Sequence, residues 1–263
     1  MRLPKRCVAL ALGATLLGCN RASPPASAGA APFSSSNPFA SASPLLDQAP
    51  PFDRIHDADY QPAVEEGMRR QLAEVEGIAS DTAAPSFENT IVALERSGAL
   101  LTRAFKVFIA MTQANTDDTL QRIQTEEAPR LAAHLDAIHL NDSLFRRVRS
   151  VYERRADLGL DSVQTFLVER YYRDFVRAGA LLAEPDKARL RALNQEESKL
   201  ATDFQNRLLA ATKSGAVVVG DKNELDGLSD AEVAAGTRSL SSLIAASGVL
   251  AMRSSSTNAA TLG

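Results

Sequence analysis

The stretch Asp57-Ala58-Asp59-Tyr60-Gln61-Pro62-Ala63-Val64-Glu65-Glu66-Gly67-Met68-Arg69-Arg70-Gln71-Leu72-Ala73-Glu74-Val75-Glu76-Gly77-Ile78 sets the architecture of this chain. Tyr60, Val64, Met68, Leu72, Val75 and Ile78 recur at spacings of four or three, which puts one apolar stripe on a helix and leaves charge on its other faces. The same period continues downstream. Pro85-Ser86 opens a second helix with Ser86 as its N-cap, and its stripe runs through Phe87, Ile91, Leu94, Leu101, Phe105 and Phe108. Gly98 interrupts that stripe and marks the place for a kink.

A third helix begins near Asp117 and carries Leu120, Ile123, Leu131, Leu135 and Ile138, with Pro129 expected to bend or split it. A fourth runs from about Asp142 to Asp157 and stops at Gly159. A fifth opens at Asp161 and closes at Gly179, a residue suited to the left-handed position after a helix. The sixth and longest runs from Pro185 to about Thr212, with an apolar seam of Leu190, Leu193, Leu200, Phe204, Leu208 and Ala211. Only Ala216-Val217-Val218-Val219 reads as a strand, and no partner for it is evident. The expected class is all-α, with one short strand near 216–219.

Composition agrees. The chain has 263 residues, 45 % hydrophobic, 23 % charged and 5 % aromatic, with no Trp, a helix-favouring mixture. A formal charge of -3, with Arg and Glu interspersed, argues against a nucleic-acid partner.

Both ends depart from the helical pattern. Arg2, Lys5 and Arg6 precede a short apolar run from Cys7 to Gly18, the form of a signal peptide over 1–18. Leu16-Leu17-Gly18-Cys19 resembles a bacterial lipobox, which makes Cys19 the expected lipidated residue; an ordinary secretory peptide is the other reading. Asn20 in place of Asp after the Cys suggests an outer-membrane lipoprotein facing the periplasm. Residues 19–50 are Ser-, Ala- and Pro-rich and read as a disordered tether. The helical part then occupies 51–235. Ser229-Asp230-Ala231-Glu232 is a capping box that should start another helix. From 236 to 263, however, there is no acidic residue and no Lys, and seven Ser occur. A frameshift or misplaced stop would produce this change, and a natural disordered tail is the alternative.

Residues that could carry chemistry are scarce. His134 and His139 are five apart on one expected helix, about 140° from each other, too far round to share a metal. Zinc on a helix needs the i, i+4 pair of His-Glu-x-x-His, which is absent from the sequence. All three His, with His56, read as surface or capping residues. Glu65-Glu66, Glu126-Glu127 and Glu196-Glu197 are adjacent pairs expected on exposed faces, where neighbouring side chains do not converge. The densest cluster is Glu169-Arg170-Tyr171-Tyr172-Arg173-Asp174-Phe175, in which Arg170 and Asp174 can pair and Tyr171 and Phe175 share the buried stripe. It reads as packing, with a substrate wall as the sharper alternative.

Several stretches resemble one family in order: Asn37-Pro38-Phe39, Pro51 to Ile55, Asp59-Tyr60, Pro62-Ala63, Phe87 to Leu101, Ala114-Asn115-Thr116, Glu169 to Gly179, Leu193 to Thr212 and Val217 to Ala235. They are similar to the front part of bacterial peptidyl-dipeptidases (dipeptidyl carboxypeptidases) of the thimet oligopeptidase and oligopeptidase A family of zinc metallopeptidases. The resemblance implies the N-terminal portion of a clam-shaped helical peptidase, which forms one wall of its channel; in the substrate-wall reading of the 169–175 cluster, Arg170, Tyr171 and Arg173 are the candidate channel-wall residues. It implies short peptides as the substrates of the full-length protein. It also implies zinc held by His-Glu-x-x-His and a later Glu, none of which this chain contains, so no catalytic residue, metal ligand or cofactor is expected here and the chain alone should be inactive. A lipid-anchored helical module that binds peptides without cleaving them is the alternative.

Overall fold

The computed structural model describes residues 32–219, 222–233 and 250–253. The described part is helical, as the periodicity requires: α1 (Asp57–Ser80), α2 (Ala93–Arg96), α3 (Ala99–Ala114), α4 (Asp118–His139), α5 (Asp142–Glu153), α6 (Ser162–Arg177) and α7 (Glu184–Ser214). The signal peptide, Cys19 and most of the expected tail at 236–263 lie outside the described residues.

The expected stripe of α1 is its buried face: Tyr60, Val64, Met68, Val75 and Ile78 are all enclosed. The helix serves two cores. Its first half packs Tyr60, Val64 and Met68 with Leu100, Phe108, Leu120 and Ile123 of α3 and α4. Its second half packs Val75 and Ile78 with Leu94, Leu144, Val148 and Phe175 of α2, α5 and α6. Each fully buried side chain of this size contributes roughly 1.5–3 kcal/mol, so α1 ties the two cores together.

Local signals behave as read. Ser86 Oγ accepts from Asn89 N at 3.1 Å while Asn89 Oδ1 accepts from Ser86 N at 2.7 Å, a reciprocal cap. Asp117, Asn141 and Asp161 cap α4, α5 and α6 through their side chains. Ser229 and Glu232 form the expected capping box, Ser229 N donating to Glu232 Oε2 at 2.8 Å.

Five expectations need correction. The helix expected through Phe87–Phe108 is broken: a widened π-helical stretch, Phe87–Val92, leads into α2, and Gly98 at φ 72° separates α2 from α3. Only glycine adopts that left-handed conformation cheaply, and Gly98 N–H is held by Glu74 Oε2 at 2.7 Å. Pro129 does not split α4, which continues from Asp118 to His139 between α1 on one side and α7 on the other. The folded part starts before 51, because Phe39 is buried against Tyr60 and its carbonyl accepts from Arg103 Nη2 at 2.8 Å. The strand β1 (Ala216–Val219) does have a partner, β2 (Leu250–Arg253), antiparallel with Ala216 opposite Arg253 and Val219 opposite Leu250. Finally, the expected seam of α7 is not buried: Leu193, Leu200, Phe204 and Leu208 are exposed.

The tightest approach in the first core is at Gly67, where an added Cβ would lie 2.7 Å from the Leu101 Cα. Ala is the better helix former by up to about 1 kcal/mol, but the obstacle is backbone and cannot swing away. Gly67→Ala is expected to lose about 1–3 kcal/mol of stability in urea denaturation through separation of α1 from α3.

Candidate functional site

The outward face of α6 is fixed by how its inner face packs. Asp161 Oδ1 accepts from Gln164 N at 2.8 Å and Gln164 Oε1 from Asp161 N at 3.2 Å, which sets the start of the helix. Val168 and Phe175 are buried. Tyr172 stacks on Tyr152 with ring centres 3.9 Å apart, and Phe145 stacks on both Tyr172 and Phe175. Arg155 lies over the Tyr152 ring at 4.1 Å and donates to Glu169 Oε1 at 3.0 Å.

On this support, two of the three residues read as a channel wall come together around a group that the sequence did not indicate. Arg170 sits 3.7 Å from Asp174 and 3.9 Å from Glu95, with its guanidinium 5.9 Å from the Tyr171 ring centre. Burial, then a hydrogen bond to Glu95, pushes the Tyr171 phenol well above its usual range. Tyr171 is half-buried rather than enclosed like Phe175. Arg173 stands apart, exposed on the outer side of the helix. Glu95 also borders a cleft of about 620 Å³ between the 38–51 loop and α3, whose other polar lining includes Asp47, Arg96, Arg103 and Lys106.

A second polar cluster joins α1 to α4 and overturns two expectations. Glu127 is only 1 % exposed. Gln61 Nε2 donates to Glu126 Oε2 at 2.8 Å and to Glu127 Oε1 at 3.0 Å, so these adjacent carboxylates do converge, on one amide from another helix. Arg130 donates to Glu127 Oε1 at 2.9 Å and also to the Glu65 carboxylate. Burial dominates and raises the Glu127 carboxyl to about 7. His134, expected at the surface, is buried with Nε2 2.8 Å from Gln71 Oε1. Burial, then the charge of His139, lowers it to about 4. His139 instead packs edge-on against Phe175, and His56 occupies the N-cap position of α1 with its N–H donated to Asp59 Oδ2 at 2.8 Å. The signal was in the spacing: 120, 123, 127, 134 and 138 trace one stripe, in which Glu127 and His134 are the polar members.

Zinc does not fit the described residues. His134 meets an amide and His139 a ring, and among the described residues no three His, Cys, Asp or Glu converge as a metal requires.

Helix α7 is turned the unexpected way. Its side toward α4 is polar: Asn194 Nδ2 donates to Asp136 Oδ1 at 2.7 Å, Asn206 Nδ2 to Thr125 Oγ1 at 3.1 Å, and Thr202 is buried. Lys187, 2 % exposed, donates to the Asp142 carboxylate at the start of α5. With these groups facing inward, Leu193, Leu200, Phe204 and Leu208 fall within roughly 80° on the opposite side, a stripe about 22 Å long. Phe204 is 66 % exposed and Leu200 59 %.

No family model matches the chain. Among curated proteins it is 50 % identical over 182 residues to a dipeptidyl carboxypeptidase of Salmonella typhimurium, a match covering 69 % of this chain and 27 % of that protein. It is 49 % identical over 183 residues to a dipeptidyl carboxypeptidase of Escherichia coli, covering 70 % and 27 %. Oligopeptidase A of Salmonella typhimurium is 24 % identical over 185 residues, again covering 70 % and 27 %. The chain thus spans about a quarter of the length of the curated relatives it matches.

The Glu127 cluster gives a pH-dependent stability. A carboxyl whose pKa rises from 4.5 unfolded to about 7 folded binds its proton more tightly in the native state. Stability is therefore full below pH ~4.5 and is lost as pH rises through 7. His134 works oppositely, its neutral form being favoured, so that stability falls as pH drops from 6.5 to about 4. Glu127→Gln removes only the first effect. The variant is expected to gain about 2 kcal/mol on wild type between pH 5 and pH 8 in chemical denaturation.

Proposed function

We propose that this homologue of the dipeptidyl carboxypeptidases forms a helical wall of a peptidase that releases dipeptides from the C-terminus of short peptides. The observation that carries this reading is the 50 % identity to such an enzyme. The described residues bring no nucleophile, base and metal together, so in this reading zinc and the catalytic groups are supplied by other polypeptide. This chain alone is then inactive. Its own part is to shape and bound the substrate channel, with Arg170 and Tyr171 held in place by Glu95.

The outward stripe of α7 supports the same reading. Four large apolar side chains on one exposed face form the kind of surface that a folded protein covers. In this proposal they seat the remainder of the peptidase. The inward face of α7 cannot serve, because its polar groups are already bonded to α4.

Lipidation of Cys19 would hold the folded part to the periplasmic side of a membrane, in this proposal the outer one. Its support is the lipobox-like Leu16-Leu17-Gly18-Cys19 and the Ser-, Ala- and Pro-rich residues that follow it. Lipid attachment is expected to appear as an acyl mass increment on the chain isolated from bacterial membranes, and to vanish in Cys19→Ser.

A chimera tests the enzymatic reading. Residues 37–228 replace the matching segment of the Escherichia coli dipeptidyl carboxypeptidase, and dipeptide release from short peptides is measured. The chimera is expected to retain activity. Leu200→Asp combined with Phe204→Asp is expected to reduce it by at least about tenfold, as loss of two buried apolar anchors implies. A soluble, folded chimera with no hydrolysis would overturn the reading.

A further inference from the structure

The cleft beside Glu95 has one wall that carries more positive charge than the protein around it neutralises. Thr102, Arg103 and Lys106 of α3 line that wall at helical spacings of three and four, and Arg96 at the end of α2 joins them. The opposite wall is the 38–51 loop, with Asp47 as its carboxylate and Pro38, Pro50 and Pro51 as apolar surface. The volume of about 620 Å³ is that of a small-molecule site.

Arg103 is fixed but not neutralised. Its Nε and Nη2 both donate to the Phe39 carbonyl, at 3.1 and 2.8 Å, which pins the guanidinium on a partner without charge. Burial lowers its pKa from the ordinary range, the mark of a cation partly removed from water. Such a charge is ordinarily paired. Among the described residues, however, no carboxylate pairs with Arg103, Arg96 or Lys106. The neighbouring acids are accounted for. Glu95 is turned to Arg170 and Tyr171, and Glu74 holds the Gly98 N–H at 2.7 Å. Three cations therefore face Asp47 alone. The loop that carries Asp47 is itself strained: Asp47 and Gln48 both hold left-handed backbone, at φ 53° and 56°. Strain of this kind in residues other than glycine gathers at ligand clamps.

We propose that this cleft binds a small organic oxyanion, a carboxylate or phosphate on a compact body, with Arg103 as the fixed fork and Lys106 and Arg96 as further counter-charges. The chemistry of the walls selects that ligand. A neutral molecule would leave the three cations as they are. A guanidinium fork matches paired oxygens rather than a single spherical ion, and Arg103 keeps its Nη1 donors unbonded among the described residues. The hydroxyl of Thr102 has no partner there either and adds a donor. The proline-lined wall and the size of the cleft accept the organic body that an inorganic ion lacks. This site lies outside the hydrolytic reading, so an inactive chimera leaves it standing.

The test titrates the full chain, labelled with nitrogen-15, with succinate, with glycerol 3-phosphate and with glycerol. Ionic strength is held constant with sodium chloride so that screening is equal throughout. Amide shifts at residues 96–107 are expected to saturate with at least one of the two anions, at a Kd of about 1 mM or tighter, and not to move with glycerol. The tighter of the two anions assigns the group as carboxylate or phosphate. Arg96→Ala with Lys106→Ala, both at exposed positions, is expected to weaken the anion by about tenfold or more. Asp47→Asn removes the opposing carboxylate and is expected to tighten binding by about threefold. Unchanged far-ultraviolet circular dichroism shows that the variants fold. Shifts that do not saturate with either anion, an equal response to glycerol, or an alanine pair that binds like wild type would overturn the proposal, as would weaker binding in Asp47→Asn.

Discussion

Burying Glu127 is the constraint from which the arrangement of the other helices follows. A carboxyl removed from water is costly, and Glu127 Oε1 offsets part of that cost by accepting from Arg130 on its own helix and from Gln61, the second only where α1 lies alongside α4 with Gln61 facing it. Arg130 of α4 also bridges to Glu65 of α1. The buried apolar residues on both sides, from Tyr60 to Ile138, are compatible with several sliding positions of α1 along α4. Bonds between Gln61 and Glu127, and between Gln71 and His134, favour the observed one. Polar contacts set the register, and apolar contacts supply most of the adhesion.

The same logic on the other side of α4 explains α7. Asp136 and Thr125 offer acceptors, and Asn194 and Asn206 meet them. Once those pairs form, with Lys187 bonded to Asp142, the rotation of α7 about its axis is fixed and its leucines point away from the rest of the described fold. A helix with polar residues inward and apolar residues outward is stable only if the outward side finds cover. The external faces of α6 and α7 thus differ in kind, one carrying arginines with an apolar end, the other the four large apolar side chains Leu193, Leu200, Phe204 and Leu208.

Much of this was legible in the residues. The helices of α1, α4, α5, α6 and α7 follow from the period of their apolar residues and from start residues such as Asp117 and Asp161, because these signals act within a few residues of chain. Glu127 and His134 were readable too, since both occupy positions that the stripe of α4 requires to be inward. Glu95 was not. It lies on a different helix from Arg170, and nothing in either segment marks the other, since pairing across the fold leaves no local spacing to read. The break at Gly98 was marked as a kink, but its depth depends on Glu74 and Gln71, which belong to α1.

From the residues alone it follows that the chain is helical, where most helices begin and end, and that it resembles a peptidase family while containing no His-Glu-x-x-His. Tertiary structure decided which side of each helix faces inward. Periodicity shows that Leu193, Leu200, Phe204 and Leu208 share a face, but an apolar stripe is free to turn toward any partner. Hydrogen bonds are directional and burial is not, so the few polar pairs along α4 oriented α7, and its leucines were left to face outward.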